Sequence, residues 1–375
     1  MFETQEEIKK SRHGKMQGSI GELTSIKTGK LDANASVANG RYPFFTCSKE
    51  TLTIDSYSYD CECVLVAGNG DLNLKYYNGK FDAYQRTYII EDASDGKLYM
   101  KYLYWFMSSY INELRKQAIG GVIKYIKLGN LTGAKIQLPS IKKQMEIVNI
   151  ITKVNNVLCY RESQLHKLDE LIQARFVEMF GDPITNSFGW EEHWLDEYIE
   201  FLTSGSRGWA KYFTDVGNEL FITIKNVKNN QITIDNIQYI NAPNSKEAKR
   251  TRVKTGDLLI SITADLGRTG VVDEAISKRG AYINQHLSLV RLDQSRINPL
   301  YVSYFLETEG GKKQFESKNQ NGVKAGLNFE AIRSLKILVP PMELQEKYLT
   351  FVNQVNKSKL VIKNLLQIYK HQIQM

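Results

Sequence analysis

Two stretches of this chain repeat apolar side chains with the spacing of a long amphipathic helix. In the first, apolar positions recur alternately four and three residues apart from Ile147 to Ile172. In the second, the same spacing runs from Tyr348 to Ile373. A seam of this period, kept over several heptads, is typical of helices that pair as a coiled coil. The pattern predicts helices over residues 141–180 and 341–374, roughly 60 Å and 50 Å long.

The two predicted helices share one register, because a shift of 201 residues superposes their apolar seams. Each seam has one charged interruption, Arg161 in the first and Lys359 in the second, and these fall at different levels. One interpretation is that each apolar face packs on its own globular neighbour. The shared register favours pairing of the helices with each other. The residues that we expect at this contact are Ile151, Val154, Leu158, Leu165, Leu168, Val352, Val355, Ile362, Leu366 and Tyr369.

The same shift aligns a longer segment without a gap, so the chain contains one module twice. The matched pairs are Gly121 with Gly322, Val122 with Val323, Lys135 with Lys336, Ile136 with Ile337, Pro139 with Pro340, Gln144 with Gln345, Val154 with Val355 and Asn155 with Asn356. In both copies a short apolar strand runs into the proline. Proline fixes φ and suits the first turn of the helix that follows.

The part of each module ahead of this segment is rich in alternating apolar and polar positions, which predicts strands. Residues 62–68 resemble residues 256–261, and residues 84–86 (Tyr-Gln-Arg) parallel residues 284–286 (Asn-Gln-His). The connecting loops diverge between the copies. Divergent loops on a repeated scaffold are what two recognition heads for different sequences require.

Composition narrows the class of protein. A chain of 375 residues is long enough for two domains. Its net charge of +8 leans toward a polyanionic partner. Four cysteines and a charged N-terminal stretch predict a reducing, cytoplasmic compartment without a disulfide framework. The apolar run at residues 102–107 is far too short to span a bilayer, so we expect no membrane contact.

Motifs for catalysis are weak throughout. The glycine-containing loop at residues 67–71 precedes no helical pattern, and Asn298-Pro299 reads as the start of a helix. The triplets Glu247-Ala248-Lys249 and Glu316-Ser317-Lys318 are of a kind common in charged chains. Cys61 and Cys63 have no second Cys or His pair nearby. We therefore expect no catalytic site, no metal site and no cofactor.

The order of module, proline-started helix, module, proline-started helix resembles the specificity subunit of type I restriction-modification systems. Residues 128–183 resemble the central spacer helix of that family with its flanks, and the chain from residue 332 onward resembles the distal one. Two pairs of blocks resemble different types of target-recognition domain: residues 27–32 with 42–45, and residues 203–209 with 256–270.

The resemblance implies an α+β fold with two mainly β target-recognition domains, each followed by a long helix, the helices pairing as an antiparallel coiled-coil spacer in a pseudo-twofold repeat. The segments are recognition domain 1 at residues 1–138 with a tail at 1–17, the central helix at 139–182, recognition domain 2 at 183–339 and the distal helix at 340–375. The resemblance implies that each domain binds half of a split double-stranded DNA target. The helices would dock two methyltransferase subunits, restriction and translocase subunits would join the full complex, and the chain itself would do no chemistry.

Base edges are read by Arg, Lys, Asn, Gln and hydroxyl side chains, while phosphates are bound by basic and hydroxyl groups. We expect such residues in the divergent loops. The candidates are Lys27, Thr28, Lys30, Arg41, Lys75, Tyr76, Gln85 and Arg86 in the first module, and Ser204, Ser206, Arg207, Trp209, Lys225, Asn226, Arg268, Gln285 and His286 in the second. Trp209 has two interpretations, an apolar wedge beside Arg207 or a core residue under a surface turn.

Two other functions stay open at this stage. One is a self-sufficient DNA methyltransferase or nuclease with a built-in recognition region, against which the missing cofactor loop counts. The other is a structural adaptor whose helices clamp partner proteins without reading DNA.

Overall fold

The computed structural model describes residues 17–318 and 326–374, with side chains described up to Tyr369. The tail predicted at residues 1–17 lies outside this range except for Gln17, which opens the first strand. The chain divides into two compact units, Met1–Cys159 and Tyr160–Met375, which are described separately below. The central helix crosses the boundary between them.

The first unit consists of a strand-rich module and the beginning of the central helix. Its elements are β1 (Gln17–Ser19), α1 (Ile20–Leu23), β2 (Thr24–Thr28), β3 (Tyr42–Phe45), β4 (Leu52–Ile54), β5 (Tyr59–Ala67), β6 (Leu74–Ala83), β7 (Thr87–Asp92), α2 (Met100–Gln117), α3 (Leu128–Thr132), β8 (Lys135–Gln137) and α4 (Ile141–Phe180). Six strands form a sheet in the order β2-β7-β5-β6-β3-β4, and β1 pairs separately with β8.

Alternation along β5 explains how this sheet buries both of its faces. Val64 and Val66 join a cluster with Leu103 and Met107 of α2. Cys63 and Leu65 point to a second cluster that includes Phe81. Burial raises the pKa of the Cys63 thiol. Both faces of the sheet are therefore covered by packed side chains. We look for functional groups on the loops that connect its strands.

The second unit contains the rest of the central helix, the second module and the distal helix. Its further elements are β9 (Glu192–Trp194), β10 (Ile199–Ser204), β11 (Phe213–Thr214), β12 (Glu219–Ile222), β13 (Val227–Lys228), β14 (Asn230–Ile232), β15 (Gln238–Ile240), α5 (Lys246–Thr251), β16 (Leu258–Ser261), β17 (Thr269–Val271), α6 (Glu274–Arg279), β18 (Ala281–Ile283), β19 (Leu287–Leu292), α7 (Pro299–Glu307), α8 (Glu309–Lys318), α9 (Phe329–Arg333), β20 (Lys336–Leu338) and α10 (Met342–Gln374).

The second unit repeats the strand pairing of the first. Strands β10, β19, β16 and β17 neighbour each other in the order that β2, β7, β5 and β6 follow in the first unit. The small pair β9 with β20 corresponds to β1 with β8. One difference is that the long strand β6 has no single counterpart. Its place is divided between β17 and β18, which α6 separates, and β12 pairs in parallel with β18 as β3 does with β6.

A buried glutamine joins each module to its long helix. The amide of Gln144 accepts a hydrogen bond from the Tyr99 backbone N–H at 2.8 Å and donates to the carbonyls of Lys97 and Pro139, both at 2.8 Å. Gln345 repeats this in the second unit, accepting from the Asn298 N–H at 3.0 Å and donating to the Pro340 carbonyl at 2.8 Å.

Both glutamines are fully buried. Tyr99 and Asn298 are the residues that precede α2 and α7. Each amide therefore satisfies orphan backbone groups at the start of one helix while fixing the direction of another.

The long helices run over Ile141–Phe180 and Met342–Gln374, as the apolar seam predicts. Within the second unit, the Tyr348 hydroxyl of α10 donates to the Ile172 carbonyl at 3.3 Å, and its ring lies 5.4 Å from the rings of Phe176 and Phe180. Further along α10, the Lys359 ammonium pairs with the Asp169 carboxylate, so the two segments run antiparallel. The predicted α+β class with two mainly β modules and paired long helices is confirmed.

Burial along the seam is uneven. Val352, Val355, Ile362 and Leu366 are buried, and so is Lys359 with its charge paired. Tyr369 is 43% exposed. Ile151, Val154, Leu158, Leu165 and Leu168 are half-buried. The role of the ten predicted residues in helix pairing stays a prediction. No helix in the described ranges is long and apolar enough to cross a membrane.

We predict that Gln144→Ala and Gln345→Ala each lower the free energy of unfolding by about 1–3 kcal/mol, because each leaves buried backbone groups without a partner. Urea denaturation followed by circular dichroism measures the shift. Gln173→Ala on the exposed face of α4 is the matched control and should change stability by less than about 0.5 kcal/mol. Equal effects of Gln144→Ala and Gln173→Ala would contradict the role assigned to the buried amide.

Candidate nucleic-acid interface

A glycine without room for a side chain ends the first strand of the large sheet in each unit. The Gly29 N–H donates to the Thr87 carbonyl at 3.0 Å, and a Cβ at this position would lie 2.1 Å from the Ala83 carbonyl oxygen. Gly205 does the same in the second unit. Its N–H donates to Leu287 at 3.2 Å, and its Cβ would lie 2.2 Å from the Asn284 carbonyl oxygen. In each unit, the glycine allows the loop that follows this strand to lie directly against the backbone of the neighbouring segment.

A second loop is held by main-chain bonds that recur in both units. The Gly68 N–H donates to the Arg86 carbonyl at 2.8 Å, and the Gly68 carbonyl accepts from the Ile126 N–H at 2.9 Å. In the second unit, Ile262 donates to His286 at 3.0 Å and accepts from the Leu327 N–H at 3.0 Å. Three loops therefore meet at one end of each sheet.

We call these groups of loops the first edge (residues 28–32, 68–73 and 84–86) and the second edge (residues 204–208, 262–268 and 284–286). The backbone is the same at both edges while the side chains differ. The first edge carries Lys30, Gln85 and Arg86, all exposed. The Gln85 amide donates to an Asp32 carboxylate oxygen at 2.8 Å, which orients it without burying it.

Several candidates of the first module have partners within the fold. Lys27 forms an ion pair with Glu91 at 2.6 Å, which holds the pKa of the lysine above its ordinary value. The Lys75 ammonium donates to the Ser48 carbonyl at 2.5 Å, and its partial burial lowers its pKa. Burial and a 2.7 Å hydrogen bond to Glu62 raise the pKa of Tyr76. These contacts fix strands and loops.

Thr28 and Arg41 are both exposed, Thr28 at the first edge and Arg41 at the start of the β3–β4 hairpin. The structure therefore brings only part of the predicted set together at the first edge. The remaining residues support the sheet or lie on other loops.

An arginine on the short helix α5 clamps the second edge. Arg250 donates to the Ser204 carbonyl at 2.9 Å, to the Thr203 hydroxyl and to Glu247 at 2.5 Å. Hydrogen bonding from the Ser206 hydroxyl, followed by the contact with Arg250, lowers the pKa of Glu247. Sequence reasoning missed Arg250, although its i, i+3 spacing from Glu247 was a signal. The same contacts engage Glu247 in positioning a loop.

A chain of side chains crosses the second edge. Gln285 Nε2 lies 3.0 Å from His286 Nε2, and His286 Nδ1 lies 2.7 Å from the Thr263 hydroxyl. His286 therefore bridges the Gln285 amide and the Thr263 hydroxyl through its two ring nitrogens. The Gln285 Oε1 atom is buried and has no hydrogen-bond partner within the described part of the chain. This coupled group is the second edge's counterpart of the single contact between Gln85 and Asp32.

Two candidates of the second module are buried, which corrects the prediction that they meet DNA. Trp209 is 5% exposed, with its ring 5.6 Å from Phe221 and 5.4 Å from Tyr282, so the core interpretation holds and the wedge is wrong. Its indole N–H donates to Ser206 at 3.0 Å. Asn226 is 3% exposed and caps a turn by accepting from Thr223 N–H at 3.0 Å.

Arg207 and Lys225 are exposed, while the half-buried Arg268 is paired with Asp265. Of the basic candidates in the second module, Arg207 and Lys225 are therefore the two that are free of such a pairing within the described residues.

Apolar side chains are exposed along both long helices. They are Met145, Ile150, Val157, Tyr160, Leu171 and Val177 on α4, and Leu360, Val361, Leu365, Ile368 and Tyr369 on α10. Their exposed fractions run from 37% at Leu365 to 74% at Tyr160. Contiguous apolar surface is typical of sites that contact another macromolecule, whereas single exposed apolar residues are common on any protein.

Comparison with known proteins gives one consistent family. The family model described as "Type I restriction modification DNA specificity domain" matches residues 14–168 and 189–368. The type I restriction enzyme EcoDI specificity subunit of Escherichia coli is 40% identical over 154 residues, 41% of this chain and 33% of that protein. The EcoBI specificity subunit of Escherichia coli is 16% identical over 321 residues, 78% of this chain and 66% of that protein. The matches thus span a third and about two thirds of these two relatives.

Two solved structures share the fold over nearly the whole chain. The S subunit of a type I restriction-modification system from M. genitalium has a TM-score of 0.60 at 17% identity and covers 96% of this chain and 94% of its own. A chain from a study of complex assembly and conformational transition in the type I R-M system has a TM-score of 0.58 at 16% identity, with 96% coverage of both chains. At these identities the likeness concerns the fold.

We predict that Gly29→Ala and Gly205→Ala each destabilise their unit by about 1–3 kcal/mol, because the added Cβ meets backbone oxygens that cannot move aside. Differential scanning calorimetry measures the loss. Gly129→Ala is the matched control, since nothing lies within 4 Å of its added Cβ, and it should be neutral or stabilising. A neutral result at both Gly29 and Gly205 would refute the close approach.

Proposed function

We propose, from the premise that this chain belongs to the type I restriction modification DNA specificity family, that it recognises a split double-stranded DNA target, with one half bound by each module. The observation that carries the proposal is the pair of edges. They share the Gly29 and Gly205 contacts and the main-chain bonds around Gly68 and Ile262, yet they present different side chains. Equal scaffolds with unequal polar groups suit the reading of two unlike sequences.

Each edge offers groups of the kind that read bases. At the first edge, Arg86 and Gln85 are an arginine and an amide side by side, the types that bind guanine and adenine in the major groove. At the second edge we assign Arg207, Gln285 and His286 to the same task. Lys30 and Lys225 are exposed and are assigned to phosphates, which position the protein without reading sequence.

The long helices supply the protein contacts in this proposal. The exposed apolar side chains on α4 and α10 would bind two methyltransferase subunits, and restriction and translocase subunits would join them in the full complex. The chain itself would contribute recognition and no catalytic group. This division of labour is consistent with the contacts of Glu247, which position the Ser204–Ser206 loop.

We predict that Arg207→Gln weakens binding of the target by roughly 10- to 100-fold with little change for random DNA, because a base contact discriminates between sequences. Lys225→Gln should weaken both DNAs alike and lower the slope of log K against log salt by about 0.9, because one phosphate contact is lost. Fluorescence anisotropy over a salt series measures both. Lys143→Gln on the exposed surface of α4 is the control and should leave DNA binding unchanged.

The target comes from methylome sequencing of cells that carry the chain with its partner subunits, where we expect a split motif with an adenine modified on each strand. Equal binding of target and random DNA at physiological salt would overturn the proposal. Methyl transfer or cleavage by the isolated chain would indicate a self-sufficient enzyme. Unchanged DNA binding by the Arg207→Gln, Lys225→Gln double variant would indicate an adaptor.

A further inference from the structure

The first unit carries a short hairpin whose tip projects apolar side chains into solvent. Ile119 and Tyr125 exchange backbone hydrogen bonds of 3.0 Å and 2.8 Å, which close a loop of five residues between them. Gly120 lies at φ 116°, and a Cβ there would be 2.5 Å from the Ile123 carbonyl oxygen. The turn therefore needs a glycine and is held at its base.

The tip residues are the most exposed large apolar side chains in the described part of this unit. Val122 is 104% exposed and Ile123 is 63% exposed. Scattered apolar residues are common on protein surfaces, but two neighbours at the tip of a hydrogen-bonded turn form a projection. Hydration of these apolar side chains is unfavourable, so the exposed tip favours a partner that covers it.

The hairpin adjoins the first edge through main-chain bonds. The Lys124 carbonyl accepts from the Gly70 N–H at 2.9 Å, and the Ile126 N–H donates to Gly68 at 2.9 Å. Gly68 in turn donates to the Arg86 carbonyl at 2.8 Å. One continuous backbone network thus connects the apolar tip to the arginine and glutamine that we assign to base reading.

Two lysines flank the tip. Lys124 and Lys127 are exposed, and neither forms an ion pair with any residue that the structure describes. Arg115 and Lys116, at the end of α2 just before the hairpin, are paired with Asp71 and Glu113. An apolar projection flanked by basic side chains is complementary to duplex DNA, which has charged phosphates outside and stacked bases inside.

We propose that the tip formed by Val122 and Ile123 inserts as a wedge between base pairs of the DNA bound at the first edge, while Lys124 and Lys127 hold the flanking phosphates. Apolar wedges of this kind partly unstack a base step and kink the duplex. The wedge adds a way of reading sequence, because the cost of unstacking depends on the step that is opened. This inference rests on the proposed function. The same Gly-Val pair recurs at Gly322 and Val323, outside the described residues, so the wedge is assigned to the first unit alone.

The test uses the full chain, with its methyltransferase subunits, and the target found by methylome sequencing. The Val122→Ser, Ile123→Ser double variant removes the apolar tip and keeps the turn. We expect it to bind the target at least about tenfold more weakly, because burial of two apolar side chains is lost. The slope of log K against log salt should not change, whereas Lys124→Gln should lower it by about 0.9. Val216→Ser, at an 85% exposed valine of the second unit, is the matched control and should bind as the wild type does.

A second measurement detects the wedge itself. 2-Aminopurine placed at successive steps of the first half-site should brighten at one step with the wild-type chain and stay dark with the double variant. Energy transfer between the duplex ends should show a bend that the double variant reduces. Wild-type binding and bending by the double variant would overturn the wedge, and so would loss of methyltransferase association with DNA binding intact, since the tip would then dock a protein. If the wild-type chain does not discriminate the target, the proposed function fails first.

Discussion

The buried glutamine amide at the start of each long helix is the contact on which the rest of the architecture depends. Gln144 and Gln345 bind backbone groups that would otherwise be orphaned in an apolar interior, so the helix cannot leave its module without a large desolvation cost. The direction of α4 and α10 is thereby coupled to the position of α2 and α7. In both copies of the repeat, the same buried amide holds the first turn of the long helix to the module that precedes it.

Above this junction, the two units share their main-chain bonding and differ in their side chains. At the first edge, one contact with Asp32 orients the Gln85 side chain. The second edge uses the Gln285, His286 and Thr263 chain and an arginine clamp from α5, an element without a counterpart in the described part of the first unit. The shared scaffold places the two edges, and the additions in the second unit support a different set of side chains there.

The helices, the repeat and the strand-proline junctions were predictable, because periodicity and proline act locally. The roles of single side chains were not. The repeat marked Gln144, but only the fold brings it to Tyr99. Trp209 and Asn226 have recognition chemistry and are buried, because neighbours distant in sequence cover them. Lys75 and Tyr76 are similar cases, engaged by Ser48 and Glu62. The exposure of residues on short loops, such as Arg86 and Arg207, was predictable because it needs no tertiary contact.

The bonds that hold the first edge together join main-chain atoms, as between Gly68 and Arg86, and every amino acid except proline supplies them. Residues 85 and 86 can therefore be exchanged one at a time without disturbing the loops that carry them. At the second edge, Gln285, His286 and Thr263 contact one another in a chain, so a change in one side chain removes a partner of its neighbour. The two edges thus differ in evolvability. The first can drift through single substitutions, and the second is epistatic and changes in concerted steps.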